Sequence, residues 1–231
     1  MSALPRPRAL LFDWDNTLVD NWPAIHEALN ATFAAMGHPL WTLAETRSRV
    51  RKSLRDSFPE MFGDRWEDAR KVFYDTFAAV HLSHLRPMPG APEGLAALAA
   101  SGLYLAVVSN KNGAYLRAEA EALGWHGHFT HIVGATDAAA DKPAPDPVHM
   151  ALSGSGLVPG PEIWFVGDGA IDVECAKAAG LTPIVLEGPE IRDELFRHNL
   201  DQFVGDGNFV ADLSGLLTLL GLGVSASARS K

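Results

Sequence analysis

The segment Leu10-Leu11-Phe12-Asp13-Trp14-Asp15-Asn16-Thr17-Leu18-Val19-Asp20 is apolar for three residues and then sets two carboxylates one residue apart, with a threonine close behind. Like charges so close repel, and desolvating either one costs free energy unless a cation or hydrogen bonds compensate. Taken alone, the pattern fits an ordinary strand followed by an Asx-turn as well as it fits a site, because Asp and Asn both favour turns and helix caps. The rest of the chain decides between the two.

After this strand, placed by its pattern over 8–14, helical periodicity takes over. Trp22, Ile25, Leu29, Phe33 and Met36 recur at three- and four-residue steps, and Gly37 stops the helix. A second helix is expected over 43–54 and a third over 65–85, the latter with Trp66, Val72, Phe73, Phe77 and Val80 as its apolar face. Arg86-Pro87-Met88-Pro89-Gly90-Ala91-Pro92 then breaks the pattern and reads as a hinge or linker. Beyond it, apolar strands over 103–109, 131–134, 163–166 and 183–186 alternate with helices over 113–123, after Pro147, and over 171–179. Strands apolar on both faces that alternate with helices form a parallel sheet covered on both sides. The expected fold class is therefore α/β, a doubly wound Rossmann-like parallel sheet with an inserted α-helical cap. The core is expected over 1–19 and 87–231 and the cap over 20–86, with the small, polar stretch 221–231 as a loose tail.

In such a sheet the ligand binds outside the carboxyl ends of the strands. Polar residues gather there: Asp13 and Asp15 after the first strand, Ser109-Asn110-Lys111 after the second, Asp141-Lys142-Pro143 past the third, and Asp168 with Asp172 past the fourth. Asp13, Asp15, Asp168 and Asp172 together would repel without a hard cation, and oxygen-only ligation suits Mg²⁺. Such a metal with Lys142 neutralises phosphate oxygens, while Ser109 and backbone N–H groups hydrogen-bond them. One carboxylate can attack phosphorus, and its neighbour two residues on is placed to protonate the leaving group and then deprotonate water.

The ordered set Asp13-Trp14-Asp15-Asn16-Thr17-Leu18, Ser109-Asn110, Lys142-Pro143 and Gly167-Asp168 with Asp172 resembles the four motifs of the haloacid dehalogenase superfamily, in its phosphatase type with a helical C1-type cap. The resemblance spans 10–186 and is greatest to phosphoglycolate-phosphatase-like enzymes. It implies Asp13 as nucleophile and Asp15 as general acid and base, with the Asp15 backbone carbonyl also on Mg²⁺ and Thr17 orienting the acid. It further implies Ser109, Asn110 and Lys142 on the transferring phosphoryl group, Lys142 also steadying Asp13, Asp168 as a direct metal ligand, and Asp172 acting directly or through water. Trp14 and Asn16 stand where the family often has Phe and Gly; the first is expected to alter only packing, the second to remove a flexible residue beside the acid. A carboxylate at Asp15 favours phosphate-ester chemistry, since an alkoxide leaving group needs its proton. Two alternatives stay open: a β-phosphoglucomutase-like transferase, and an idle domain that binds a phosphorylated ligand or a protein.

Composition narrows the remaining choices. The net charge of −9 argues against nucleic acid or anionic membrane as partners and leaves a small phosphorylated metabolite. The single cysteine, Cys175, reads as a buried filler, and with no signal-peptide pattern and no long apolar run the expected address is the cytoplasm; oligomeric state stays open. His81, His84, His126, His128 and His131 read as surface or capping residues rather than zinc ligands. The basic run Arg47, Arg49, Arg51, Lys52, Arg55 is expected on one cap helix, as a solvated face or, in the competing reading, with Lys52 or Arg55 in contact with a second anionic group of the substrate.

Overall fold

The strands are β1 (Ala9–Phe12), β2 (Val19–Asp20), β3 (Arg86–Pro87), β4 (Tyr104–Asn112), β5 (His131–Ala135), β6 (Ile163–Gly167), β7 (Thr182–Leu186) and β8 (Phe209–Val210), in a computed structural model that describes residues 4–50, 53–188 and 191–222. The helices are α1 (Trp22–Met36), α2 (Leu43–Arg49), α3 (Leu54–Phe62), α4 (Trp66–His84), α5 (Ala91–Ala100), α6 (Gly113–Ala122), α7 (Asp146–Ala151), α8 (Ala170–Ala178), α9 (Ile191–Arg197) and α10 (Leu213–Leu219). All four residues of β1 are buried, and a strand apolar on both faces needs cover on both. It finds that cover at the centre of a six-stranded sheet, β5-β4-β1-β6-β7-β8, whose pairs are all parallel. Strand alternation sends Leu10 and Phe12 to one face with Val107 and Val166, and Ala9 and Leu11 to the other with Ala106, Val108 and Phe165.

Helices α1 to α4 form the cap between β1 and β4, with a core of their own that includes Leu29, Phe33, Phe58, Phe62, Phe73 and Phe77. Its two connections to the sheet domain run side by side, because β2 and β3 pair antiparallel, Val19 with Pro87 and Asp20 with Arg86. The Gly37 N–H caps α1 from a left-handed conformation, φ 76°. Thr42 and Glu45 form a capping box at the start of α2.

Three local features depart from the sequence expectation. The single helix over 43–54 is two: α2 ends at Arg49, Val50 is extended, and Ser53 caps α3 by accepting the Asp56 N–H. Hence Arg47 and Arg49 lie on one helix and Arg55 on another, while Arg51 and Lys52 fall outside the described residues. The Pro-rich segment 86–92 is not all linker, since Pro92 opens α5 in its first turn, where a missing N–H costs nothing. Past β7 the chain adds α9, β8 and α10, of which β8 extends the sheet; most of the expected tail, 223–231, lies outside the described residues.

One close approach sets the end of β4. A Cβ on Gly134 would overlap the backbone of Gly113 and lie 2.6 Å from the Lys111 carbonyl oxygen, and neither backbone can yield cheaply. Gly134→Ala is expected to lower stability by about 1–3 kcal/mol. Gly127→Ala, with nothing within 4 Å of its Cβ, is expected to stay within about 0.5 kcal/mol of wild type. Denaturant unfolding of both variants checks the pair, and equal shifts would refute the packing argument.

Candidate active site

Asp13 follows the last residue of β1, and its backbone N–H donates to Val166 O at 2.9 Å, so the strand pairing with β6 carries it into the site. Lys142 Nζ sits 2.8 Å from Asp13 Oδ1 and 2.7 Å from Asp172 Oδ1, almost wholly buried, with the Phe165 ring beside it. Burial alone would pull this ammonium down, but the Asp13 and Asp172 charges outweigh it and hold Lys142 well above its usual range. Asp172 approaches because Gly167 has no side chain: a Cβ there would overlap the Asp172 carboxyl group. The other Asp172 oxygen accepts the Gly169 N–H at 3.1 Å, at the start of α8.

Asp13, Asp168 and Asp172 each bring a carboxylate oxygen within 4.8 Å of the others. Burial first, and then the neighbouring carboxylates, pushes Asp13 up to about 6 despite Lys142, and raises Asp168 well above the carboxylate range. Three carboxylates face one ammonium here, leaving two negative charges to balance. An all-oxygen donor set of that charge fits a hard divalent cation such as Mg²⁺. The Asp15 side chain stands outside this trio.

The remaining expected residues are placed as follows. Ser109 is buried near the end of β4 and lines the same cavity as Asp13, Asp15, Lys142, Asp168 and Asp172. The Asn110 side chain is engaged elsewhere than expected: its Nδ2 donates to Lys142 O at 3.0 Å and its Oδ1 accepts Lys142 N at 2.9 Å, which clamps the lysine's backbone. Thr17 does not orient Asp15; its hydroxyl donates to Asp168 Oδ1 at 3.1 Å, because the turn after Asp15 points it toward β6. Asn16 takes the left-handed conformation, φ 64°, the reason a glycine serves at this position and Asn is the tolerated substitute. Arg55 Nη2 is paired with Asp141 Oδ1 at 2.7 Å, tying α3 to the loop before Lys142, so its charge is spent on the core. Lys52 lies outside the described residues. Cys175 is buried as expected, and burial pushes its thiol up to about 12.

Five residues make contacts at the site that the motifs did not announce. Lys111 Nζ lies 2.7 Å from Asp15 Oδ1 and 2.8 Å from Glu119 Oε2. Asn21 Nδ2 donates to the same two oxygens at 2.7 and 2.9 Å. Trp14 Nε1 donates to Glu119 Oε2 at 2.7 Å, so this tryptophan does more than pack. His81 is neither a surface nor a capping residue: it is buried, with Nδ1 2.9 Å from Glu119 Oε1. The available signals were a charged residue on the apolar face of α6 beside Leu116 and Ala120, and a histidine continuing the Phe73–Phe77 stripe of α4. The cap roofs the site: a cavity of about 780 Å³ is lined from below by these carboxylates and from above by Trp22, Ile25, Trp41 and Met61.

A parallel α/β core with an aspartate pair, a buried lysine and a helical roof at its strand ends defines a class of phosphoryl-group hydrolases. The chain belongs to the haloacid dehalogenase-like hydrolases, whose family model matches residues 10–186, and it is a phosphatase among them. It is 31% identical over 183 residues to a phosphoglycolate phosphatase of Xylella fastidiosa, covering 78% of this chain and 80% of that one. With a phosphoglycolate phosphatase of Rhodospirillum rubrum it shares 33% identity over 192 residues, covering 78% and 79%. Among solved structures it resembles a haloacid dehalogenase-like hydrolase of Streptococcus pneumoniae, with a TM-score of 0.74, 25% identity, and 84% and 92% of the two chains covered.

The raised Asp13 value carries a stability consequence. A carboxyl raised on folding from 3.8 to about 6 costs stability above its folded value and nothing below its unfolded one. In the presence of chelator, wild-type stability is expected to fall by on the order of 1–3 kcal/mol from this group as pH rises through that window. Asp13→Asn should remove that part of the slope and be the more stable protein at pH 7. Chemical denaturation across pH checks this, and parallel profiles for the two proteins would contradict it.

Proposed function

We propose that the chain is a Mg²⁺-dependent phosphatase that hydrolyses a small phosphorylated metabolite through an aspartyl-phosphate on Asp13. The observation that carries this reading is Lys142 Nζ fixed between Asp13 and Asp172, with Asp168 alongside. Asp13, Asp168 and Asp172, with the Asp15 backbone carbonyl, would hold the metal. When bound, it supplies positive charge that neutralises phosphoryl oxygens and eases approach of an anionic nucleophile.

An Asp13 carboxylate oxygen attacks phosphorus; the ester P–O bond breaks with its electron pair on the leaving oxygen, which takes a proton from the Asp15 carboxyl. Asp15, now a carboxylate, accepts a proton from water as the water oxygen attacks the phosphorus of the aspartyl-phosphate. The P–O bond to Asp13 breaks, inorganic phosphate leaves, and both aspartates return to their starting states. Lys142 holds Asp13 in line and offsets charge on the phosphoryl group, and Ser109 hydrogen-bonds its oxygens. The apolar cap wall keeps bulk water from the phospho-enzyme. The names of the relatives support a substrate of phosphoglycolate size. The net charge of −9 supports a protein without a nucleic-acid partner. No helix among the described residues is long and apolar enough to cross a membrane, in keeping with a cytoplasmic address.

Phosphate release from phosphoglycolate and other small esters is expected with Mg²⁺ and should cease with excess chelator. Asp13→Asn should form no acid-stable phospho-enzyme. Asp15→Asn should lose about 10²–10⁴-fold on an alkyl phosphate and much less on an aryl phosphate, whose leaving group needs no proton. A phospho-enzyme that turns over only when a phosphosugar accepts the group would identify a mutase instead. Mg²⁺ should also raise the melting midpoint of the wild type, by about 2.7 kcal/mol of added stability at a hundredfold excess over Kd, and much less that of Asp168→Asn.

A further inference from the structure

We infer that Lys111 and Glu119 form a positioning pair for Asp15, which they lock in the orientation needed for proton transfer; the inference rests on the assignment of Asp15 as general acid and base. Both residues belong to the sheet domain, Lys111 at the end of β4 and Glu119 on α6, and both are buried. Lys111 Nζ contacts Asp15 Oδ1 at 2.7 Å and Glu119 Oε2 at 2.8 Å, and the Phe77 ring of α4 lies 5.2 Å from it. The ammonium therefore has little freedom to turn toward a phosphoryl group.

Glu119 is fully buried and would be costly to ionise alone, yet the protein surrounds it with four donors. Trp14, Asn21 and Lys111 all reach Oε2, and His81 reaches Oε1. A carboxylate satisfied on both oxygens is a rigid anchor, and its effect is exported through Lys111. The consequence falls on Asp15: Oδ1 accepts from both Lys111 and Asn21, while Oδ2 takes part in neither bond. One oxygen is fixed and the other is left to carry the proton. General acid catalysis depends on such placement, and an error of about 1 Å costs on the order of 10²-fold.

The test compares Lys111→Met and Glu119→Gln with Asp15→Asn on an alkyl phosphate and on a nitrophenyl phosphate, in the full-length protein with Mg²⁺. Lys111→Met is expected to lower kcat about 10- to 100-fold on the alkyl ester and no more than about threefold on the aryl ester, with KM within about twofold. Glu119→Gln should show the same pattern more weakly, and Lys111→Arg should recover part of the alkyl activity. In an Asp15→Asn background Lys111→Met should cost almost nothing further. Far-ultraviolet circular dichroism and melting of each variant establish folding; if Glu119→Gln does not fold, the Lys111 pair of substitutions decides. Equal losses on both esters in a folded Lys111→Met protein, or a rise in KM with kcat kept, would overturn the inference by placing Lys111 on the phosphoryl group. If Asp15→Asn itself loses equally on both esters, the acid assignment fails, and the positioning role goes with it.

Discussion

A buried ammonium is tolerated only where carboxylates meet it, and Lys142 meets two, one from the end of β1 and one from α8. That constraint organises the neighbourhood. Asp13 must come off the central strand, Asp172 must enter at the first turn of α8, and Gly167 must be bare for Asp172 to fit. Asn110 clamps the lysine's own backbone from β4, and Arg55 reaches down from the cap to the aspartate just before it. The parallel order of β4, β1 and β6 delivers these contributors to one edge. Removing the cation would leave three carboxylates facing each other in a poorly hydrated space.

Two lysines divide the electrostatic work. Lys142 serves Asp13 and Asp172, and Lys111 serves Asp15 and Glu119. The two aspartates of the first loop, one residue apart, are thereby held by separate cations. Alternation along an extended chain would put residues two apart on one face; here the chain has left β1 after Phe12, Asp13 meets Lys142 and Asp15 meets Lys111, and Asn16 then turns the chain through a left-handed conformation. The question posed by two like charges so close together is settled by giving each its own counter-charge.

How much of this was legible in the residues follows from where the information lies. Asp13, Lys142 and Asp168 are legible because each stands just past an apolar strand or in the loop beyond it, where a polar side chain has no packing role, and Asp172 because it is a charge in the first turn of the helix that follows. Glu119 and His81 could not be assigned, since one charged position on an apolar helix face does not say what lies opposite it in space. The bond from Thr17 to Asp168 is not legible either, because spacing gives proximity along the chain and not the direction of a turn. The break after α2 is masked in the sequence although Ser53 and Asp56 carry a capping pattern, because the basic residues around it are good helix formers. Likewise Pro92 looks like punctuation in the sequence because a proline fits a linker and the first turn of a helix equally well, and here it opens α5.

The paired strands β2 and β3 place the departure and the return of the cap against each other. Seen from the sheet, the whole helical region is a side branch on a two-ply stalk. The sheet's strand order does not register how many residues the branch contains or how they fold. The cap has a hydrophobic centre separate from those flanking the sheet. A lineage or an engineer could thus graft a different roof onto the same stalk, or trim it to a short loop, while every strand kept its neighbours. The carboxylates and Lys142 come with the sheet, and the upper wall of the cavity comes with the branch.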